Sequence, residues 1–164
     1  FQFLFYIAEK EGCLMTNVHD VTPAQVLLVE DNADDVELTL EALKDSKVRM
    51  EVHVVSDGMV AMKFLRCQGE YADKPRPDLV LLDLNLPLMD GREVLQEIRK
   101  DPELTDLPVV VLTTSQSEAD ICEAYKMHAN CYITKPVDFL QFSKIVRQIE
   151  GFWLQLVKLP GKRR

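Results

Sequence analysis

Short apolar runs recur along the chain, and each is followed, after a polar turn, by apolar residues at helical spacing. Val26-Leu27-Leu28-Val29 is the first such run, and Val36, Leu40 and Leu43 then fall on one helical face. Val52 to Val55 precede a predicted helix near Met59 to Arg66, and Leu79-Val80-Leu81-Leu82 precede one from about Arg92 to Lys100. Val109-Val110-Val111-Leu112 lead into a helix near Glu118 to Met127, and Cys131 to Thr134 lead into one from Asp138 onward. The pattern is five βα units.

The interior strands are continuously apolar instead of alternating, as required when helices cover both faces of a parallel sheet. With short connections this predicts a doubly wound α/β domain, whose ligand site lies at the carboxyl ends of the strands. Three segments are expected: an N-terminal extension over 1–22, the βα domain over 23–151, and a C-terminal extension of the last helix with its tail over 152–164. Gly69 to Pro77, with Pro75 and Pro77, reads as a surface loop. Met15 is a candidate natural start.

Composition narrows the function classes. A chain of 164 residues holds one ordinary core. A formal net charge of -8, from 27 acidic and 19 basic residues, argues against nucleic acid as a partner, because phosphate backbones require a basic surface. The basic run at Lys158 and Lys162-Arg163-Arg164 reads as a charged terminus. Cys13, Cys67, Cys122 and Cys131 form neither a zinc-ligand spacing nor a disulfide framework. The apolar start Phe1 to Ala8 is stopped by Glu9-Lys10-Glu11, too short for a membrane span and unlike a signal peptide. A cytoplasmic protein with no membrane partner is expected.

The chemistry concentrates where the predicted strands end. Strand one ends in Glu30-Asp31, strand three in Asp83, strand four in Thr113 and strand five in Lys135-Pro136. Each residue alone would serve as a helix cap, a turn former or a solvated charge. Brought to one pocket, the carboxylates repel, and a hard divalent cation would neutralise them; the all-oxygen donor set points to Mg²⁺. A central carboxylate can then attack phosphorus and form an aspartyl phosphate. The metal and Lys135 would balance the equatorial oxygens, and the Thr113 hydroxyl would hydrogen-bond one of them.

Four segments carry a family resemblance: 26–32 (Val-Leu-Leu-Val-Glu-Asp-Asn), 77–91 from Pro77-Asp78 to Asp90-Gly91, 107–114 (Leu-Pro-Val-Val-Val-Leu-Thr-Thr) and 132–136 (Tyr-Ile-Thr-Lys-Pro). In these the chain resembles the receiver domains of two-component response regulators, over about Gln25 to Gly151. The resemblance implies a five-stranded parallel sheet in the flavodoxin-like order 2-1-3-4-5. It implies that Asp83 accepts phosphate from a histidine kinase. Asp31, Asp83 and the backbone carbonyl of Asn85 would ligate Mg²⁺, with Glu30 acting through water. Thr113 and Tyr132 would be the switch pair, Asn85 and Ser115 would stand at positions that influence dephosphorylation, and the Lys135-Pro136 bond would be cis. Gly91 is expected to serve backbone geometry in the turn after strand three.

Two other readings compete with a signalling acceptor. An aspartyl-phosphate phosphatase or phosphotransferase acting on free substrates would normally need an acid two residues after the nucleophile, where this chain has Asn85. A degenerate, phosphorylation-independent binding module would lack some of the reactive residues, and all are present.

No output domain is expected after the fifth unit, so phosphorylation would act through a partner or through self-association. Phe139, Phe142, Ile145, Val146, Ile149, Phe152, Trp153, Leu156 and Val157 continue an apolar stripe, predicting one helix from Asp138 to Val157, about 30 Å long. Phe152, Trp153 and Leu156 are the candidate homodimer interface. Cys131-Tyr132 and the ending from Phe152-Trp153-Leu154 to Lys158-Leu159-Pro160 resemble the small, dimeric response regulators paired with bacterial phytochromes. That resemblance implies a phytochrome-type photoreceptor kinase as phosphodonor.

Overall fold

The computed structural model describes residues 23–44, 46 and 48–157. The predicted extension over 1–22, with Met15 and Cys13, and the basic end of the chain lie outside the described residues. Strands β1 (Ala24–Val29), β2 (Met50–Val55), β3 (Leu79–Leu82), β4 (Val109–Thr113) and β5 (Cys131–Thr134) form one sheet. Every neighbouring pair is parallel, in the order β2-β1-β3-β4-β5, as expected. Helices α1 (Ala33–Lys44), α2 (Gly58–Leu65), α3 (Gly91–Lys100), α4 (Glu118–Lys126) and α5 (Phe139–Glu150) alternate with the strands, and a single 3₁₀ turn, Gly69–Tyr71, lies in the predicted loop before β3.

Alternation along the buried strands divides the core. Leu27, Val29, Val80, Leu82, Val109 and Val111 face α2, α3 and α4, meeting Met62, Phe64, Val94, Leu95, Ile98 and Ala124. Val26, Leu28, Leu79, Leu81, Val110 and Leu112 face the other way, toward α1 and α5. Each fully buried Leu or Val removes apolar surface worth about 2 kcal/mol from water. That alone does not fix the register, because the strands are apolar on both faces. The polar residues at their ends do. A slip of one residue would draw Glu30 or Asp83 into the core, at a cost of several kcal/mol.

Helix caps place the strand-to-helix turns. Asn32 accepts from the backbone N–H groups of Asp34 (2.9 Å) and Asp35 (3.3 Å) at the start of α1. Asp57 caps α2, Asp90 and Glu93 form a capping box on α3, Ser117 caps α4, and Asp138 caps α5.

The last helix departs from expectation. The α-helix stops at Glu150, and Gly151–Leu156 form a wider π-helical turn. The wider turn brings Trp153 and Leu154 against the cluster of Val26, Leu28, Leu79, Leu81, Val110 and Ile149. Phe152 and Leu156 remain exposed, at 52% and 65%. Trp153 is half-buried and packs against its own domain. Among the described residues no helix is long and apolar enough to cross a membrane.

Candidate functional site

β1 and β3 are neighbours whose following helices lie on opposite faces of the sheet, so a crevice opens at their carboxyl ends. Glu30, following β1, is 3% exposed, and Asp83, following β3, is 6% exposed. The Asp83 backbone N–H donates to Val29 O at 3.0 Å, continuing the β1–β3 ladder and fixing the carboxylate beside Glu30. Lys135 leaves β5 with its N–H donating to Thr113 O at 2.7 Å, which directs the side chain across the strand ends.

The Lys135 ammonium meets three carboxylates: Asp83 at 2.9 Å, Asp35 at 2.8 Å, and Glu30 in a direct hydrogen bond. Burial opposes its charge, but the hydrogen bonds it donates to Asp35, Glu30 and Asp83 outweigh that cost and hold it protonated, above the ordinary lysine value. Glu30 shows the opposite balance. Burial raises its pKa, and the contact with Lys135 offsets only part of the rise.

Asn85 links the acceptor to the neighbouring hydroxyl. Its backbone N–H donates to Asp83 Oδ1 (3.1 Å), and its side-chain amide donates to Thr113 Oγ1 (3.4 Å). Thr113 is fully buried, and its hydroxyl also accepts from the Ser115 N–H at 3.4 Å. Tyr132 is half-buried, with its hydroxyl donating to Ser115 O at 3.0 Å. The two predicted switch residues therefore meet through Ser115.

Gly91 is required for close approach. Its N–H donates to Leu84 O (3.0 Å), and a Cβ there would lie 2.1 Å from the Asp83 carbonyl oxygen. The left-handed backbone in this turn is at Leu88, with φ 65°.

Two expectations meet a different geometry, and two groups were missed. Among the described residues, the carboxylates whose oxygens lie within 4.8 Å of one another are Glu30, Asp35 and Asp83. Asp31 is exposed in the turn before α1 and does not join them, because the residue after Glu30 leaves the strand direction. The Lys135-Pro136 bond is trans, the lower-energy isomer. Asp35 was missed, although Asn32 as N-cap places it in the first turn of α1, where side chains lean back toward the helix start. A second missed group extends from Ser115, whose hydroxyl hydrogen-bonds Asp120; Asp120 pairs with Arg92 of α3 at 2.7 Å.

A doubly wound sheet with a carboxylate–ammonium pocket at its switch point defines an α/β domain of the receiver class. The chain belongs to the response regulator receiver domain family, whose sequence profile matches residues 26–147. It is 51% identical over 139 residues to the response regulator Rcp1 of Synechocystis, covering 85% of this chain and 95% of that protein. The crystal structure of the phosphorylated cyanobacterial phytochrome response regulator RcpA superposes with a TM-score of 0.83 at 54% identity, covering 85% of this chain and all of that one. The Mn²⁺-bound form of Rcp1 superposes with a TM-score of 0.82 at 51% identity, with the same coverage. The predicted resemblance to phytochrome-type response regulators is borne out.

Proposed function

We propose that this receiver accepts a phosphoryl group on Asp83 from the phosphohistidine of a phytochrome-type histidine kinase, in a Mg²⁺-dependent reaction in the cytoplasm. The observation that carries the reading is the state of Asp83: buried at the switch point, 2.9 Å from Lys135, with its other oxygen held by the Asn85 N–H. An Asp83 oxygen attacks phosphorus, the P–N bond breaks, and the electron pair leaves with the imidazole nitrogen, which takes a proton. Lys135 balances charge on the phosphoryl oxygens, and the Thr113 hydroxyl donates to one of them. The kinase assignment draws on the phytochrome response regulators RcpA and Rcp1.

The donor set suits a hard divalent cation. Glu30, Asp35 and Asp83 around one ammonium leave two net negative charges among oxygen donors alone. Asp31, Asp83 and the Asn85 carbonyl would hold Mg²⁺, with Glu30 contributing through water. When bound, the ion supplies positive charge to the phosphoryl oxygens opposite Lys135. Incubation with acetyl phosphate and Mg²⁺ is expected to add one phosphoryl mass, and EDTA to prevent it. Equal labelling in EDTA would contradict the metal dependence.

The domain signals and does not turn over free substrates. The position two residues after Asp83 holds Asn85, an amide that engages Thr113 and supplies no acid to a leaving group. Rapid turnover of phosphomonoesters with Mg²⁺ would overturn this.

Output proceeds through protein contacts, including a homodimer formed by the terminal turn over 152–157. Phe152 and Leu156 are its exposed apolar residues. The double substitution Phe152→Ser/Leu156→Ser is expected to convert a dimer to a monomer in sedimentation while leaving the fold intact. Removal of everything after Glu150 would also uncover the core beneath Trp153 and Leu154, so point substitutions are the sharper test. Equal masses for wild type and variant would refute this interface.

A further inference from the structure

The third carboxylate on Lys135 belongs to none of the strand ends. Asp35 lies in the first turn of α1, its side chain 27% exposed at the mouth of the pocket, where Glu30 and Asp83 are almost fully enclosed. An ammonium has three N–H donors, and here each has its own carboxylate. Lysine has a long flexible stem, and two acceptors on neighbouring strands leave its head free to swing about the line joining them. The third, offered from a different element, fixes that last degree of freedom.

The position is specific within its turn. Asp34 carries the same charge one residue earlier and is exposed. Both acids benefit from the helix N-terminus, but only Asp35 reaches Lys135.

We propose that Asp35 is a positioning residue for phosphotransfer, holding the Lys135 ammonium where it can follow the phosphoryl group onto Asp83. This rests on Asp83 being the acceptor. When the phosphoryl group arrives, Lys135 exchanges its contact with Asp83 for one to a phosphoryl oxygen. Its contact with Asp35 persists and limits the movement to a small rotation. Asp35 itself exchanges no proton or bond in the reaction.

The test uses the full chain with acetyl phosphate and Mg²⁺, followed by intact mass over time. Asp35→Ala is expected to slow labelling about tenfold, the value of one charge-assisted hydrogen bond. Asp35→Asn, which keeps an acceptor oxygen, should fall between that and wild type, and Asp34→Asn should match wild type. Positioning through Lys135 makes a further demand. In a Lys135→Met background, Asp35→Ala is expected to cause no additional loss, whereas a merely structural role would slow both backgrounds equally. A wild-type rate in Asp35→Ala, or equal losses in the two backgrounds, would overturn the proposal. If the wild-type protein takes up no phosphoryl group, the acceptor reading fails. Nitrogen-15 NMR of the lysine ammonium then examines Asp35 separately: the Lys135 signal should broaden or disappear in Asp35→Ala and persist in Asp34→Asn. An unchanged Lys135 signal in Asp35→Ala would also overturn the proposal.

Discussion

Replacement of Lys135 by Met is expected to slow labelling by acetyl phosphate about a hundredfold or more, the usual consequence of removing a charge-stabilising donor from a pocket of this kind. The same substitution should destabilise the fold near neutral pH by about 3 kcal/mol, because Glu30, Asp35 and Asp83 would face one another without the intervening ammonium. The pH dependence has a definite sign. Burial already raises the Glu30 pKa from its ordinary value, and loss of the Lys135 contact that lowers it should raise it further. A carboxylate whose folded pKa exceeds its unfolded value favours the folded state at low pH and disfavours it as pH rises through the folded pKa. The difference from wild type should therefore narrow as pH falls toward the ordinary carboxylate range. Urea unfolding of both proteins at neutral and mildly acidic pH measures it. A constant difference, or none, would show that the three carboxylates are not electrostatically coupled through Lys135.

Gly91→Ala is expected to cost about 3 kcal/mol and to slow labelling together with stability. The added methyl would sit 2.1 Å from the Asp83 carbonyl oxygen and 2.7 Å from Leu84 Cα, both main-chain atoms that cannot rotate away. Relief requires a shift of the segment that carries the acceptor, so one methyl group moves Asp83 relative to Lys135. Gly151→Ala is the matching control. Its added methyl meets nothing within 4 Å, and the substitution should be neutral or stabilising by about 0.5 kcal/mol. Chemical denaturation and acetyl-phosphate labelling of both variants provide the comparison; a stable, fully reactive Gly91→Ala would contradict the close approach.

The contrast between Asp83 and Asp35 shows what the sequence makes legible. Parallel strands buried on both faces must be apolar throughout, so a polar residue that ends such a run marks the rim of the sheet. Glu30, Asp83, Thr113 and Lys135 were readable on that ground, and the structure brings their backbones to one rim. Asp35 follows no strand, and an acid in the first turn of a helix has an ordinary role beside the N-terminal dipole. Its contact with Lys135 depends on the angle at which α1 leaves β1, which residue order does not encode. Asp31 stands outside the carboxylate cluster on Lys135 for the related reason that adjacency to Glu30 does not keep two side chains on one side of a turn.

The terminal segment teaches a similar lesson. Its apolar stripe was clear, but period alone could not distinguish a continuing α-helix from a widened turn. Packing of the half-buried Trp153 and Leu154 against the cluster that includes Leu28 and Ile149 favours the widened turn. The chain Ser115–Asp120–Arg92 was hidden because it joins the loop after β4 to two helices through side chains of ordinary surface type.

The most direct test of the account is intact mass spectrometry of the full chain after incubation with acetyl phosphate and Mg²⁺, with Asp83→Asn treated alongside. The account predicts one added phosphoryl group on the wild-type protein, lost in Asp83→Asn and removed by mild base as an acyl phosphate should be. An unmodified wild-type protein, or equal labelling of Asp83→Asn, would contradict it.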